Sequence, residues 1–118
     1  MDETTAHRFA AEWIDAWNAH DLGAVLEHYE DDFEMSSPII IAMMGEPSGT
    51  LRGKEAVRRY WIRALNALPD LRFEHVATLV GANSLVIHYK GHRGAVAEFF
   101  HFGPTGKVAH AFAHYAIP

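Results

Sequence analysis

The chain has no cysteine, which excludes a disulfide framework and any Cys-ligated zinc or iron–sulfur site. No apolar run approaches the ~18 residues of a membrane-spanning helix, so no membrane partner is expected. Positive charge is scarce: 10 Lys and Arg against 15 Asp and Glu leave a formal charge of −5. Nucleic acid and anionic membrane surfaces attract basic faces, so nucleic acid is not an expected partner either. No G-x-G-x-x-G or Walker pattern supplies a phosphate cradle, and no cofactor is expected. The start MDETTAHRF is acidic and leads into no apolar run, which argues against a secretory signal. Together with the missing cysteines, this fits a cytoplasmic protein.

What is present suits one folded domain spanning 1–118. Hydrophobic residues make up 49% and charged residues 21%, a globular balance that argues against disorder. Seven Phe, four Tyr and three Trp supply bulk for a core. Asp2, Thr4 and Thr5 offer caps for a first helix, whose stripe is Ala6, Phe9, Ala10, Trp13 and Trp17. Asp21 caps a shorter second helix through Leu22, Val25, Leu26 and Tyr29, ended by the acidic run Glu30-Asp31-Asp32.

Phe33, Met35 and Ser37 alternate in a short strand that Pro38 stops, and 39–52 reads as a loop with a partly buried start. A third helix opens at Gly53-Lys54-Glu55 and buries Val57, Tyr60, Trp61, Ala64, Leu65 and Leu68. Four strand-like runs then follow at 71–80, 84–90, 95–102 and 107–116, with turn signals between them. Short connections imply hairpins. The expected fold class is therefore α+β, with three N-terminal helices packed against an antiparallel sheet.

Four local patterns occur in this order: Trp13 to Leu22 (WIDAWNAHDL), Tyr29 to Phe33 (YEDDF), Gly53 to Val57 (GKEAV), and Glu98 to Phe102 with Gly106-Lys107-Val108. In them the chain resembles the nuclear transport factor 2-like superfamily, in its SnoaL-like and ketosteroid-isomerase-like branches. The resemblance covers nearly the whole chain and implies a curved sheet wrapped on helices as a cone. The cone's open end is an apolar pocket, and such proteins often form dimers. It specifies no activity, because the superfamily includes isomerases, cyclases, epoxide hydrolases and binding modules.

Strand parity assigns faces without help from the family. Val96, Glu98, Phe100 and Phe102 share one side of their strand, and Ala97, Phe99 and His101 share the other. A four-residue loop at 103–106 would set Glu98 opposite Ala111 and put Ala109, Ala111, Ala113 and Tyr115 on its face. Leu85, Ile87 and Tyr89 join the same side from the preceding hairpin. One face is thus apolar with a single carboxylate. The other carries His88, Phe99, His101, His110, Phe112 and His114, a surface expected to pack on a second copy in a homodimer.

Glu98 is the candidate catalytic group, because a carboxyl on an apolar inward face is driven toward its neutral form. Such a group can donate to a developing oxyanion or move a proton. The alternative places it at the pocket mouth, solvated or paired with Arg93. By resemblance it matches the protonated oxyanion-hole acid of ketosteroid isomerases. Trp13 stands where their oxyanion tyrosine would fall, and Ser37 where their general base would fall. An indole cannot act as an acid near neutral pH, and an unaided hydroxyl cannot deprotonate carbon, so steroid-type isomerisation is not expected.

The expected pocket residues are Trp13, Trp17, Met35, Ser37, Trp61, Ile87, Tyr89, Phe100, Ala111 and Tyr115, with 39–52 as a flap over the mouth or a passive connection. No metal site is expected: His110 and His114, four apart on a strand, stand roughly 13 Å apart and cannot share an ion. No serine has the context of a catalytic triad. Three readings remain open at this level: an acid/base enzyme of isomerase, cyclase or hydrolase type acting on a small apolar or cyclic molecule, a non-catalytic module for a small apolar ligand, and a dimeric scaffold with an incidental pocket.

Overall fold

The computed structural model describes residues 1–118 as four helices and six strands, an α+β architecture. Helix α1 (Glu3–Asn18) is capped by the Asp2 carboxylate, which accepts from the Thr5 N–H at 2.7 Å. Its stripe of Ala6, Phe9, Ala10, Trp13 and Trp17 is buried as the spacing predicts. Helix α2 is shorter than expected (Leu22–Leu26), and Tyr29 opens strand β1 (Tyr29–Ser36) instead of closing a helix. The reason is tertiary, because Tyr29 pairs with Val108 and the adjacent His28 carbonyl accepts the Val108 N–H.

The stretch after β1 is the main departure from the sequence reading. Pro38–Met44 is a helix, α3, where a loop was expected, which makes four helices rather than three. Pro38 ends the strand and also fills the first helical turn, where its missing N–H costs nothing. Ser37 caps that turn, and Gly45 closes the helix in the left-handed region at φ 67°. Strand β2 (Thr50–Arg52) and helix α4 (Lys54–Ala67) follow, the helix burying Val57, Tyr60 and Trp61.

Strands β3 (Glu74–Val80), β4 (Ser84–Gly91), β5 (Gly94–Phe102) and β6 (Val108–Tyr115) form the expected antiparallel meander. The sheet order is β2-β1-β6-β5-β4-β3, with β1 and β6 parallel, so the sheet is mixed and open rather than wholly antiparallel. The hairpin argument governs only strands adjacent in sequence, and most of the chain separates β1 from β6. At the last hairpin the connection is one residue longer than expected, since Phe102 pairs with Val108, and an irregularity after His101 adds one more, so the register lies two residues from the expected one. Glu98 therefore faces Ala113, and Ala111 faces Phe100. A slip of two preserves the face, so the parity argument survives.

The concave side of the sheet takes α1 and α4, and Leu85, Ile87, Val96, Phe100, Val108 and Ala111 are buried there. Aromatic edges do much of the packing: Phe100 meets Phe9 at 5.0 Å and Trp13 at 5.2 Å, both T-shaped. Each such side chain, fully buried, stabilises the fold by about 1.5–3 kcal/mol. No helix is long and apolar enough to cross a membrane.

Candidate functional site

At the open end of the concave face lies a cavity of about 360 Å³, and 15 of its 19 lining residues are hydrophobic. All three tryptophans of the chain border it, on α1 (Trp13, Trp17) and α4 (Trp61). Ile39 and Met43 of α3 and the 64–73 segment complete the wall. That segment is held by the end of the WIDAWNAHDL pattern. The Asn18 amide donates to the Phe73 carbonyl at 3.0 Å and its oxygen accepts the Phe73 N–H at 2.7 Å. His20 Nε2 lies 2.8 Å from the Leu71 carbonyl. These polar residues shape the cavity without touching it, and their contacts place Leu71 and Phe73 in its wall.

Glu98 is the one acidic residue in the lining and is 4% exposed. Burial pushes its carboxyl up to about 7, opposed by a hydrogen bond that Tyr89 Oη donates to Oε1 at 3.0 Å. The other oxygen has no protein partner and is left to the cavity. The solvated or Arg93-paired alternative is thereby set aside: Glu98 is buried, and it takes part in no ion pair.

All four tyrosines of the chain lie within the field of this carboxyl, and burial raises each phenol, with Glu98 adding to the rise. Tyr60 is pushed up to about 12, and Tyr29, Tyr89 and Tyr115 also lie above the usual phenol range. Phenols so shifted are neutral hydrogen-bond donors at every working pH.

Of the residues expected in the pocket, Trp13, Trp17, Met35, Trp61, Tyr89 and Tyr115 line the cavity. Ile87, Phe100 and Ala111 point to the same side but are sealed beneath it, with no exposed surface. Alternation along a strand gives the face, whereas depth under the helices decides which residues reach open space. Ser37 is also set back from the lining: its hydroxyl accepts the Ile39 N–H at 3.2 Å as the α3 cap, and it neighbours the phenols of Tyr60 and Tyr115. Trp13 has no free N–H for a ligand, because Nε1 donates to Tyr29 Oη at 2.9 Å. Trp17 Nε1, in contrast, is buried without an acceptor.

The residues that sequence reasoning did not place in the pocket are chiefly Tyr60, Phe73, His92 and Arg93. Tyr60 was legible on the α4 stripe beside Trp61. Phe73 lies outside the regular strand, and His92 and Arg93 form a turn, so no periodicity points to them.

The outer face holds a second polar group. Ser36 Oγ lies 2.9 Å from His110 Nε2, and His110 Nδ1 lies 3.3 Å from Glu34 Oε2, in the order of a catalytic triad. Ser36 Oγ is also 2.7 Å from Thr50 Oγ1. All three strands involved are laddered together. The group is a cross-strand network tying β2, β1 and β6.

This geometry, a curved sheet around helices with an apolar cavity and one buried carboxyl, defines a cone-type pocket protein. Residues 10–116 match the SnoaL-like domain model, and the chain belongs to that family. It is similar to a SnoaL-like protein of unknown function from Burkholderia thailandensis, at 57% identity and TM-score 0.94 over 98% of both chains. A putative polyketide cyclase from Sinorhizobium meliloti shares the fold at 16% identity and TM-score 0.75, over 97% of this chain and 100% of that one. A putative hydroxylase, AclR from Streptomyces galilaeus, does so at 17% identity and TM-score 0.74, over 96% and 79%. No match was found among curated proteins.

Proposed function

We propose that the cavity takes a small, mostly apolar molecule and that Glu98 moves a proton on it. The observation that carries this reading is the placement of Glu98. It is buried in an apolar cavity, anchored through one oxygen by Tyr89, and has its second oxygen directed at whatever occupies the space. With its carboxyl near 7, both protonation states are populated at neutral pH, the condition under which one group can both give and accept a proton efficiently. The neutral phenols of Tyr60 and Tyr115 are donors for an oxygen on the substrate that gains negative charge.

Beside Glu98 the lining offers no second carboxylate, Ser37 is set back as a helix cap, and the imidazole of His92 stands out at the solvent-open hairpin tip. The chemistry that fits is a single-carboxyl proton shift, in which Glu98 removes a proton from a carbon next to a carbonyl and returns it at the same or a nearby atom. The assay follows deuterium exchange at the α-carbon of a panel of cyclic and aryl ketones in D₂O. Glu98→Gln should slow exchange at least ~100-fold while ligand affinity stays within about twofold. If ligands bind the native protein and neither exchange nor turnover depends on Glu98, the catalytic reading fails. A binding module is the second reading, favoured by the sparse polar lining.

The outer face supports a separate proposal, a homodimer. Val86, Phe99 and Phe112 are half-buried in one cross-strand row, and Leu79 extends it at 55% exposure. His88, His101, His110 and His114 flank this row. A surface so composed is suited to self-association.

A further inference from the structure

One cation stands at the rim of the cavity without a partner. The β4–β5 hairpin closes on the Gly91–Gly94 pair, leaving His92 and Arg93 as its two-residue tip, and Gly94 supplies the positive φ of 96°. Both tip side chains border the cavity while remaining open to solvent. The ion pairs of the molecule involve Arg52, Lys54, Arg59 and His110 with acids of β1 and α4, and Arg93 is in none of them.

The polar groups of the cavity differ in exposure: Arg93 is open to solvent, Tyr115 is half-buried, and Tyr60 and Glu98 are buried. The charge of Arg93 is felt at the phenols of Tyr60 and Tyr115, which it holds lower than burial alone would. The carboxyl of Glu98 answers chiefly to burial and to Tyr89. The walls alongside are Trp17, Trp61, Leu68 and Phe73.

Building on the reading of the cavity as a small-molecule site, we propose that its occupant is an apolar acid, with a carboxylate held at the rim by Arg93 and a hydrocarbon or aromatic body between the tryptophan walls. A cationic ligand would meet Arg93 with repulsion. An acid entering carboxylate-first would carry its charge into the apolar interior toward Glu98. A neutral molecule fits the walls but gains nothing from the guanidinium. A guanidinium–carboxylate pair at a half-wet rim contributes about threefold to tenfold in affinity.

The three indole N–H signals of the chain all come from the lining, so NMR titration of ¹⁵N-labelled protein reads occupancy directly. The matched probes are 4-phenylbutyrate and 4-phenylbutan-1-ol, at about pH 6 and in ~20 mM salt. The acid should bind about threefold to tenfold tighter than the alcohol, and the preference should shrink in ~300 mM salt. Arg93→Gln should abolish the preference while leaving the alcohol's affinity in place, and Arg93→Glu should reverse it. Equal binding of the two probes by the native protein, or a preference that survives Arg93→Gln, overturns the inference. Alcohol binding without acid preference overturns it alone, whereas indole signals unmoved by either probe overturn it together with the pocket reading.

Discussion

Replacing Glu98 with Gln should stabilise the protein by an amount that grows as pH rises from about 4.5 to about 7 and is constant above that. The carboxyl is raised in the folded state from 4.5 to about 7, chiefly by burial. A group raised on folding binds its proton more tightly in the native state, so stability is highest below about pH 4.5 and falls as pH climbs through 7. A displacement of that size corresponds to about 3 kcal/mol, the cost of holding the ionised carboxylate out of water. Glutamine is neutral at every pH and keeps an oxygen to accept from Tyr89 Oη, so it escapes this cost.

Urea unfolding of native and Glu98→Gln protein, followed by far-ultraviolet circular dichroism from about pH 5 to 9, measures the difference. The variant should be ahead by about 1 kcal/mol at about pH 5 and by about 3 kcal/mol at about pH 8.5. For a chain of this length that is roughly 10 °C in Tm. Other titrating groups are common to both proteins, so the difference curve isolates position 98. Parallel curves across the range would refute the reasoning, because they would mean the carboxylate is solvated when ionised.

Two further outcomes follow from the same structure. Tyr89→Phe removes the one interaction that opposes burial at Glu98, so the carboxyl should titrate above about 7 in a side-chain NMR titration, and an unchanged midpoint would deny the hydrogen bond any influence. Phe112→Glu places a charge in the middle of the outer apolar row, which should convert a dimer to a monomer by light scattering without loss of the folded spectrum. A native protein that is already monomeric would remove the basis for that proposal.

Much of this molecule was legible from residue order alone, for reasons that are local. Helical stripes put Trp13, Trp17 and Trp61 inward because burial of a repeating face is the only way those residues leave water. Strand alternation turned Glu98 and Tyr89 to one side and His88 and Phe99 to the other, and it held although the β5–β6 register lies two residues from the expected pairing. The family patterns pointed to the cone before any coordinate did.

What the tertiary structure decided depends on groups far apart in sequence. The parallel pairing of β1 with β6 drew Tyr29 into a strand, and Ser37 with Pro38 and Gly45 turned an apolar run into a helix that walls the cavity. Depth separated Tyr115, which reaches open space, from Ala111 and Phe100, which do not. Only folding adds Tyr29 and Tyr60 to Tyr89 and Tyr115 near Glu98 and sets Arg93 in the cavity lining. Periodicity records which face a side chain takes. The field and the free volume it meets there are sums over the whole fold.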